Sequence, residues 1–426
     1  MLSELHLRDV GPAPKLDVEF AERLNIFTGD NGLGKTFLLD CAWYAQTGSW
    51  PSFPALPREG AHLPQISVVC KGRGKPTPGV GVGTLVYDLG SRSWPSGSAA
   101  SGWTAIYARA DGGVSVYDRL RTEIRPSLDA PSSRRDNGCV DFDSKAIWYG
   151  IHEGEQVICN GMLRDLVEWQ LERELPGELA FDTLSRVVAR LSEPNEPIEI
   201  GRPVRPYAND ARRYPTIKTP YGIVPIHLAP SGLKRILGLA YVMVWAWKEH
   251  RELSSLGNHE PYEHIDLLID EPELHLHPRW QRSILPSLLA VRSDLGRESA
   301  QLLVTTHSPL VLASIEPEFD EERDRLFLFD VEKGSVELNE VPWAKQGDAN
   351  NWLTSDIFGL GQARSIEAER AIQAAQDFML GLKDKLPPGL KTKKSIHKEL
   401  LRVLPDHDRF WPRWIVTAYE TAGKGS

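Results

Sequence analysis

Cysteine and methionine are scarce in this chain, at four residues each among 426. Cys41, Cys70, Cys139 and Cys159 show no C-x-x-C spacing and no histidine pair nearby. That argues against a structural zinc site or a disulfide framework and fits a reducing compartment. Long apolar runs are missing too. The most apolar stretch, residues 236–247, is too short to span a bilayer and is followed by Lys248-Glu249-His250, so it predicts a buried helix. No leader-like segment opens the chain, because residues 2–8 alternate apolar and polar like a strand. A cytoplasmic protein without a membrane partner is expected. Positive charge is not in excess either: the net charge is −9, which does not support a broad nucleic-acid-binding face. Repeats, heptads and extended low-complexity tracts are absent. What remains is an ordinary globular composition, 41% hydrophobic and 25% charged, over a length that calls for two or three structural units.

Within that unremarkable background one stretch stands out. Gly29-Asp30-Asn31-Gly32-Leu33-Gly34-Lys35-Thr36 matches the pattern G-x-x-x-x-G-K-S/T in full. It follows the apolar run Leu24-Asn25-Ile26-Phe27 and precedes Phe37-Leu38-Leu39, so strand, loop and helix read in order. In such a loop the glycines let backbone N–H groups curl around phosphates, and the following helix N-terminus favours the anion. Lys35 then reaches the β/γ oxygens of a nucleoside triphosphate, and the Thr36 hydroxyl holds Mg²⁺.

Two later segments carry matching chemistry. Leu267-Leu268-Ile269-Asp270-Glu271 is an apolar strand ending in two acids. Asp270 at the strand end suits a water-mediated Mg²⁺ ligand, and Glu271 suits a base that polarises a water against the γ-phosphate. Leu302-Leu303-Val304-Thr305-Thr306-His307 is a second buried strand, which delivers His307 to the end where α/β sheets bind ligands. His307 is expected to contact the γ-phosphate.

The order of P-loop, Ala229-Pro230-Ser231-Gly232-Leu233-Lys234-Arg235, Asp270-Glu271-Pro272-Glu273-Leu274-His275-Leu276-His277-Pro278 and Thr305-Thr306-His307-Ser308-Pro309 resembles ABC-type ATPases of the RecF, OLD and SMC-like branch over roughly residues 1–340. The resemblance implies an ATP- and Mg²⁺-dependent ATPase. Two heads would sandwich two nucleotides, with Ser231 and Gly232 of one copy capping the nucleotide of the other. It departs from the family pattern at Pro230, which stands in the usual serine position, so the trans contact falls to Ser231 or to backbone groups. The resemblance places Glu273 to Pro278 at the head–head interface. It also implies a glutamine that couples Mg²⁺ to the helical insert. Gln156, lying between a strand expected at 146–149 and the insert, is assigned there, with Gln65 behind it.

The coarse layout follows. The fold class expected is α/β: a P-loop NTPase head of ABC type with an antiparallel β subdomain, a short helical insert and a helical C-terminal region. Residues 1–158 hold the P-loop and the β subdomain, with strands at 66–70, 83–87, 104–108 and 114–117. A polar loop is expected at 129–138. Residues 159–214 form the insert and a proline-rich connector, 215–345 a second lobe, and 346–426 the helical tail. A hundreds-residue coiled coil has no room here, and no D-x-D strand follows His307, so SMC-type tethering and an internal nuclease are excluded. Family likeness therefore implies a homodimer or larger assembly that senses or gates a separate effector, a nuclease or toxin, in prokaryotic defence. Phe410-Trp411-Pro412-Arg413-Trp414 is the candidate docking element, or else packs on its own chain. The alternative is a RecF-like repair factor that binds DNA through short basic patches at Arg134-Arg135, Arg212-Arg213 and Lys391, Lys393 and Lys394.

Overall fold

The computed structural model describes residues 1–71, 81–95, 97, 103–124, 138–172 and 179–420. Its centre is an eight-stranded sheet in the order Ser335–Val341, Asp324–Glu332, Leu24–Gly29, Ser299–Thr305, His264–Asp270, Thr104–Ala108, Val114–Asp118 and Cys139–Phe142. The middle five strands are parallel, and the outer strands add to them antiparallel. Strands of a parallel sheet are covered on both faces and therefore read as continuous apolar runs. Leu24–Gly29, His264–Asp270 and Ser299–Thr305 are buried almost throughout.

A second, antiparallel sheet runs Ala13–Glu19, Leu2–Val10, Gln65–Cys70 and Gly81–Val86. The P-loop helix, Lys35–Thr47, lies between the two sheets. Leu38, Leu39, Cys41, Ala42, Trp43, Tyr44 and Ala45 are all buried in one cluster with residues from both. A helix apolar on every side is stable only when enclosed in this way.

Three expectations change here. Strands 104–108 and 114–117 were grouped with the antiparallel subdomain, but they belong to the central sheet. Both are buried at every position, so each needed a neighbour on either edge and cover on both faces. The strand expected at 146–149 is a helix, Ser144–Tyr149, begun by the Asp143 side chain accepting the Ala146 N–H. The proline-rich connector contains a three-stranded antiparallel sheet, Glu199–Val204, Tyr214–Thr219 and Gly222–Pro225. Pro203 and Pro215 fit because they fall where the register slips between the Gly201 and Val204 pairings, and a bulge needs no donor there.

That small sheet leads through a single 3-10 turn, Ile226–Leu228, into the longest helix, Ser231–Gly257. Asn258 ends the helix in a left-handed conformation, with its N–H on the Ser254 and Ser255 carbonyls. No helix among the described residues is long and apolar enough to cross a membrane.

The chain divides into two compact units, Met1–Asp348 and Ala349–Ser426. The second is helical, with Ile366–Met379, Lys393–Val403 and Phe410–Glu420 around a core of its own. Phe410, Trp411 and Trp414 are buried in that core, so they pack within their own unit. Most of the polar loop expected at 129–138 lies outside the described residues, as do Arg134 and Arg135.

Candidate functional site

Strand register decides which side chains meet. Asp270 is level with Thr305, Thr305 with Phe27, and Ile269 with Ala108. The C-terminal ends of four parallel strands thus finish together, at the edge where α/β sheets place ligands. The P-loop leaves this edge through Gly29, whose φ is 130°, where a Cβ would sit 2.3 Å from the Phe329 carbonyl oxygen. It enters its helix through Gly34 at φ 104°. Both positions demand glycine. The Lys35 ammonium donates to the carbonyls of Gly29 at 2.9 Å and Asp30 at 2.7 Å. Burial lowers its pKa, against the pull of Glu271 and Asp270.

Across the loop stands a fully buried carboxylate. Asp270 accepts from the Thr36 hydroxyl at 2.9 Å and from the Thr305 hydroxyl at 2.5 Å. The Thr305 oxygen in turn accepts the Glu271 N–H at 3.0 Å. An all-oxygen pair of hydroxyl and carboxylate suits a hard cation such as Mg²⁺, which is held by few protein ligands and keeps several waters. Thr36 and Asp270 are the residues that fit it.

Glu271 has φ 50°, a left-handed conformation that costs a non-glycine residue about 1–3 kcal/mol. Arg235, from the first turn of the long helix, holds this turn in place. Its guanidinium donates to the carbonyls of Glu271 at 3.2 Å, Asp270 at 3.4 Å and Ala110 at 3.3 Å. The Glu271 carboxylate lies 3.4 Å from His307 Nε2. Burial, then the charge of Asp270, raises the Glu271 pKa, while burial, then Lys35, lowers that of His307. An acid held towards neutrality beside a neutral imidazole is suited to moving a proton.

Glu273 serves the same histidine from behind. One of its oxygens accepts the His307 N–H at 2.7 Å and the Thr306 hydroxyl at 2.8 Å. Its other oxygen is buried without a hydrogen-bond partner, and burial raises its pKa. The next residue, Ser308, caps the helix Pro309–Ile315 and donates to Gln281 at 2.8 Å.

Ser231 and Gly232, which open the long helix, do not join this cluster. Ser231 is exposed, and Gly232 lies so close to the turn at His275 that a Cβ would sit 2.6 Å from that carbonyl oxygen. Ser231 lines two cavities of about 270 and 810 Å³, and no residue of 29–36 lines either of them. His275 and His277 border the larger cavity.

Gln156 is not brought to the site. It lies exposed on an isolated two-stranded hairpin, paired with Glu153, and no hydrogen bond links it to Thr36 or Asp270 among the described residues. Its assignment rested on a strand at 146–149 that is a helix. Gln65 is in the antiparallel sheet opposite Arg8 and Val86. The strand adjoining Asp270 is Thr104–Ala108, and it continues into Arg109-Ala110-Asp111-Gly112-Gly113 without a glutamine. Sequence reasoning missed two residues near the site. Asp40, one helical turn beyond Thr36, accepts from the Tyr107 hydroxyl at 3.0 Å, and burial, reinforced by Asp270, pushes its pKa up to about 6. Spacing along the helix could have found Asp40, but only the sheet order could have found Tyr107.

Known proteins are similar to parts of this chain. Residues 218–313 match the family described as "AAA domain, putative AbiEii toxin, Type IV TA system". Over 96 residues the chain is 31% identical to "Retron Ec83 probable ATPase" of Escherichia coli, a match covering 22% of this chain and only 15% of that protein. Over 387 residues it is 24% identical to "Septu protein PtuA" of Bacillus thuringiensis, covering 86% of each. A solved SMC head domain from Thermotoga maritima aligns with 80% of this chain and 99% of its own at 13% identity, with a TM-score of 0.36. The mixed sheet, the P-loop and the order of motifs give an α/β fold of the P-loop NTPase class, with the layout of an ABC-type head. The order of its motifs is similar to that of the RecF- and SMC-like branch of such proteins.

Proposed function

We propose that this protein binds and hydrolyses ATP at a composite site completed by a second copy of itself. The observation that carries this reading is a separation. Lys35, Thr36, Asp270, Glu271 and His307 share one sheet edge, whereas Ser231 opens onto cavities that no P-loop residue lines. An exposed helix N-terminus with free N–H groups favours an anion, and the nearest nucleotide of the right geometry would be another copy's.

In this reading residues 29–36 cradle the phosphates, with Gly29, Asp30, Asn31, Gly32, Leu33 and Gly34 forming the loop. Lys35 neutralises the β/γ oxygens. Thr36 and Asp270 hold Mg²⁺, which when bound supplies charge neutralisation at the phosphates. Glu271 orients and deprotonates the attacking water, and His307 senses the γ-phosphate. Ser231 and Gly232 cap the partner's nucleotide. Residues 1–158 and 215–345 act as the two lobes of one head, with 159–214 as its insert and 346–426 as an appendage.

The retron and Septu relatives support a setting in prokaryotic defence, with the ATPase as sensor or scaffold for a separate effector such as a nuclease. The RecF-like alternative, an ATP-dependent clamp on DNA, draws less support. Arg212, one of its candidate phosphate contacts, is committed to Asp210 through its Nε and Nη2. Light scattering with and without ATP tests the central reading. The Glu271→Gln protein should double in mass with ATP and Mg²⁺ and remain doubled, whereas a mass unchanged by nucleotide would overturn the composite site.

A further inference from the structure

We infer that Asp40 is an outer ligand of the site's divalent cation, holding one of its waters with the carboxylate oxygen that Tyr107 leaves free. The inference rests on the ATP-binding reading above. Asp40 follows Thr36 by four residues in the Lys35–Thr47 helix, so the two share a face. Helical side chains lean towards the N-terminus, which brings the Asp40 carboxyl back over the Thr36 turn. Tyr107 fixes it there. Its ring is buried on the strand Thr104–Ala108, opposite Leu268 and two residues before Asp270, and its hydroxyl donates to one Asp40 oxygen at 3.0 Å. The second oxygen has no hydrogen-bond partner among the described residues, and no lysine or arginine forms an ion pair with Asp40 among them.

A half-buried carboxylate that Arg109 reaches by charge but not by an ion pair, and that lies close enough to Asp270 to feel its charge, is a poor choice for packing alone. It is a good choice beside a cation. Mg²⁺ takes one or two protein oxygens directly and keeps its waters, whose positions are then set by groups behind the first ligands. No three acidic, histidine or cysteine side chains among the described residues converge into a direct metal cage, which is compatible with a role for Asp40 through water. The loop that follows the neighbouring strand, residues 109–113, offers no glutamine to do this from the other side. Asp40 takes over that role from within the P-loop helix.

Mn²⁺ replaces Mg²⁺ in the test, because its spin resonance signal reports bound metal without turnover. Mn²⁺ is titrated into protein saturated with ADP, and ADP binding is measured separately in chelator. Asp40→Asn should weaken Mn²⁺ about tenfold or more while leaving metal-free ADP affinity unchanged or slightly tighter. Tyr107→Phe, which removes only the positioning hydroxyl, should weaken Mn²⁺ by a smaller factor in the same direction. Parental Mn²⁺ affinity in both variants overturns the inference alone. A parent protein that binds no ADP, or ADP binding that survives Lys35→Ala, overturns the P-loop reading and this inference with it.

Discussion

The backbone N–H of His307 donates to the Glu273 carboxylate at 2.7 Å, joining two loops 34 residues apart. The same carboxylate takes the Thr306 hydroxyl, so the histidine loop cannot shift without breaking both bonds. Glu271 then meets the imbedded imidazole from the front. Two acids in one turn thus divide the work, one facing the ring and the other fixing its backbone.

Glu273→Ala should therefore lower ATP turnover while leaving nucleotide affinity intact. Loss of a hydrogen bond to a charged group is worth about 1.5–3 kcal/mol, which corresponds to about a tenfold or greater fall in kcat. Glu273→Gln keeps an oxygen that can accept both bonds and should retain most of the rate. Steady-state kinetics of the two variants side by side checks the assignment.

Glu271→Gln should bind ATP at parental affinity and hydrolyse it at a rate reduced about a hundredfold or more, as expected for loss of a general base. Lys35→Ala should instead lose nucleotide binding. Single-turnover hydrolysis separates binding from chemistry. Parental turnover by Glu271→Gln would remove Glu271 from its assigned role.

Asp40 gives a pH-dependent prediction. Its carboxyl is pushed from the usual 3.8 up to about 6 in the folded chain, chiefly by burial. Between those two values the folded protein holds a proton that the unfolded chain has released. Stability therefore falls as pH rises through this window, and the full cost is present at pH 7. Asp40→Asn should stabilise the protein at pH 7.5, with a ceiling of about 3 kcal/mol, and have almost no effect near pH 4. Thermal denaturation without added metal across that range reads the difference.

Trp414, buried with Phe378 against it, is a core residue of the C-terminal unit. Trp414→Ala should cost that unit about 3–5 kcal/mol. Calorimetry should show its transition move down while the unit Met1–Asp348 unfolds as before.

The residues that meet at the sheet edge were legible because their motifs fix short-range spacing. Gly29 to Thr36, Asp270-Glu271 and His307 each end or follow an apolar strand, and parallel pairing aligns such ends without further information. What escaped depended on sheet order. The strand 104–108 reads like any short hairpin member, and only its burial on both faces moves it beside Asp270. Gln156 rested on a strand at 146–149 that is a helix, and the segment that does follow the strand beside Asp270, Arg109 to Gly113, holds no glutamine. Tyr107 was missed with that strand, and with it the partner of Asp40. The aromatic cluster at 410–414 looked equally fit for docking or packing, since composition does not say which face of a helix is covered.

The composite site is tested most directly by complementation. Lys35→Ala and Ser231→Arg should each abolish ATP turnover, one by removing phosphate binding and the other by blocking the exposed cap. In an equimolar mixture, half of randomly formed dimers carry one of each chain, and each of these holds one intact site. The account predicts recovery of about a quarter of the parental rate, because a twofold dimer exchanges the two halves of each site between copies. Turnover that stays at the level of the separate variants would contradict it.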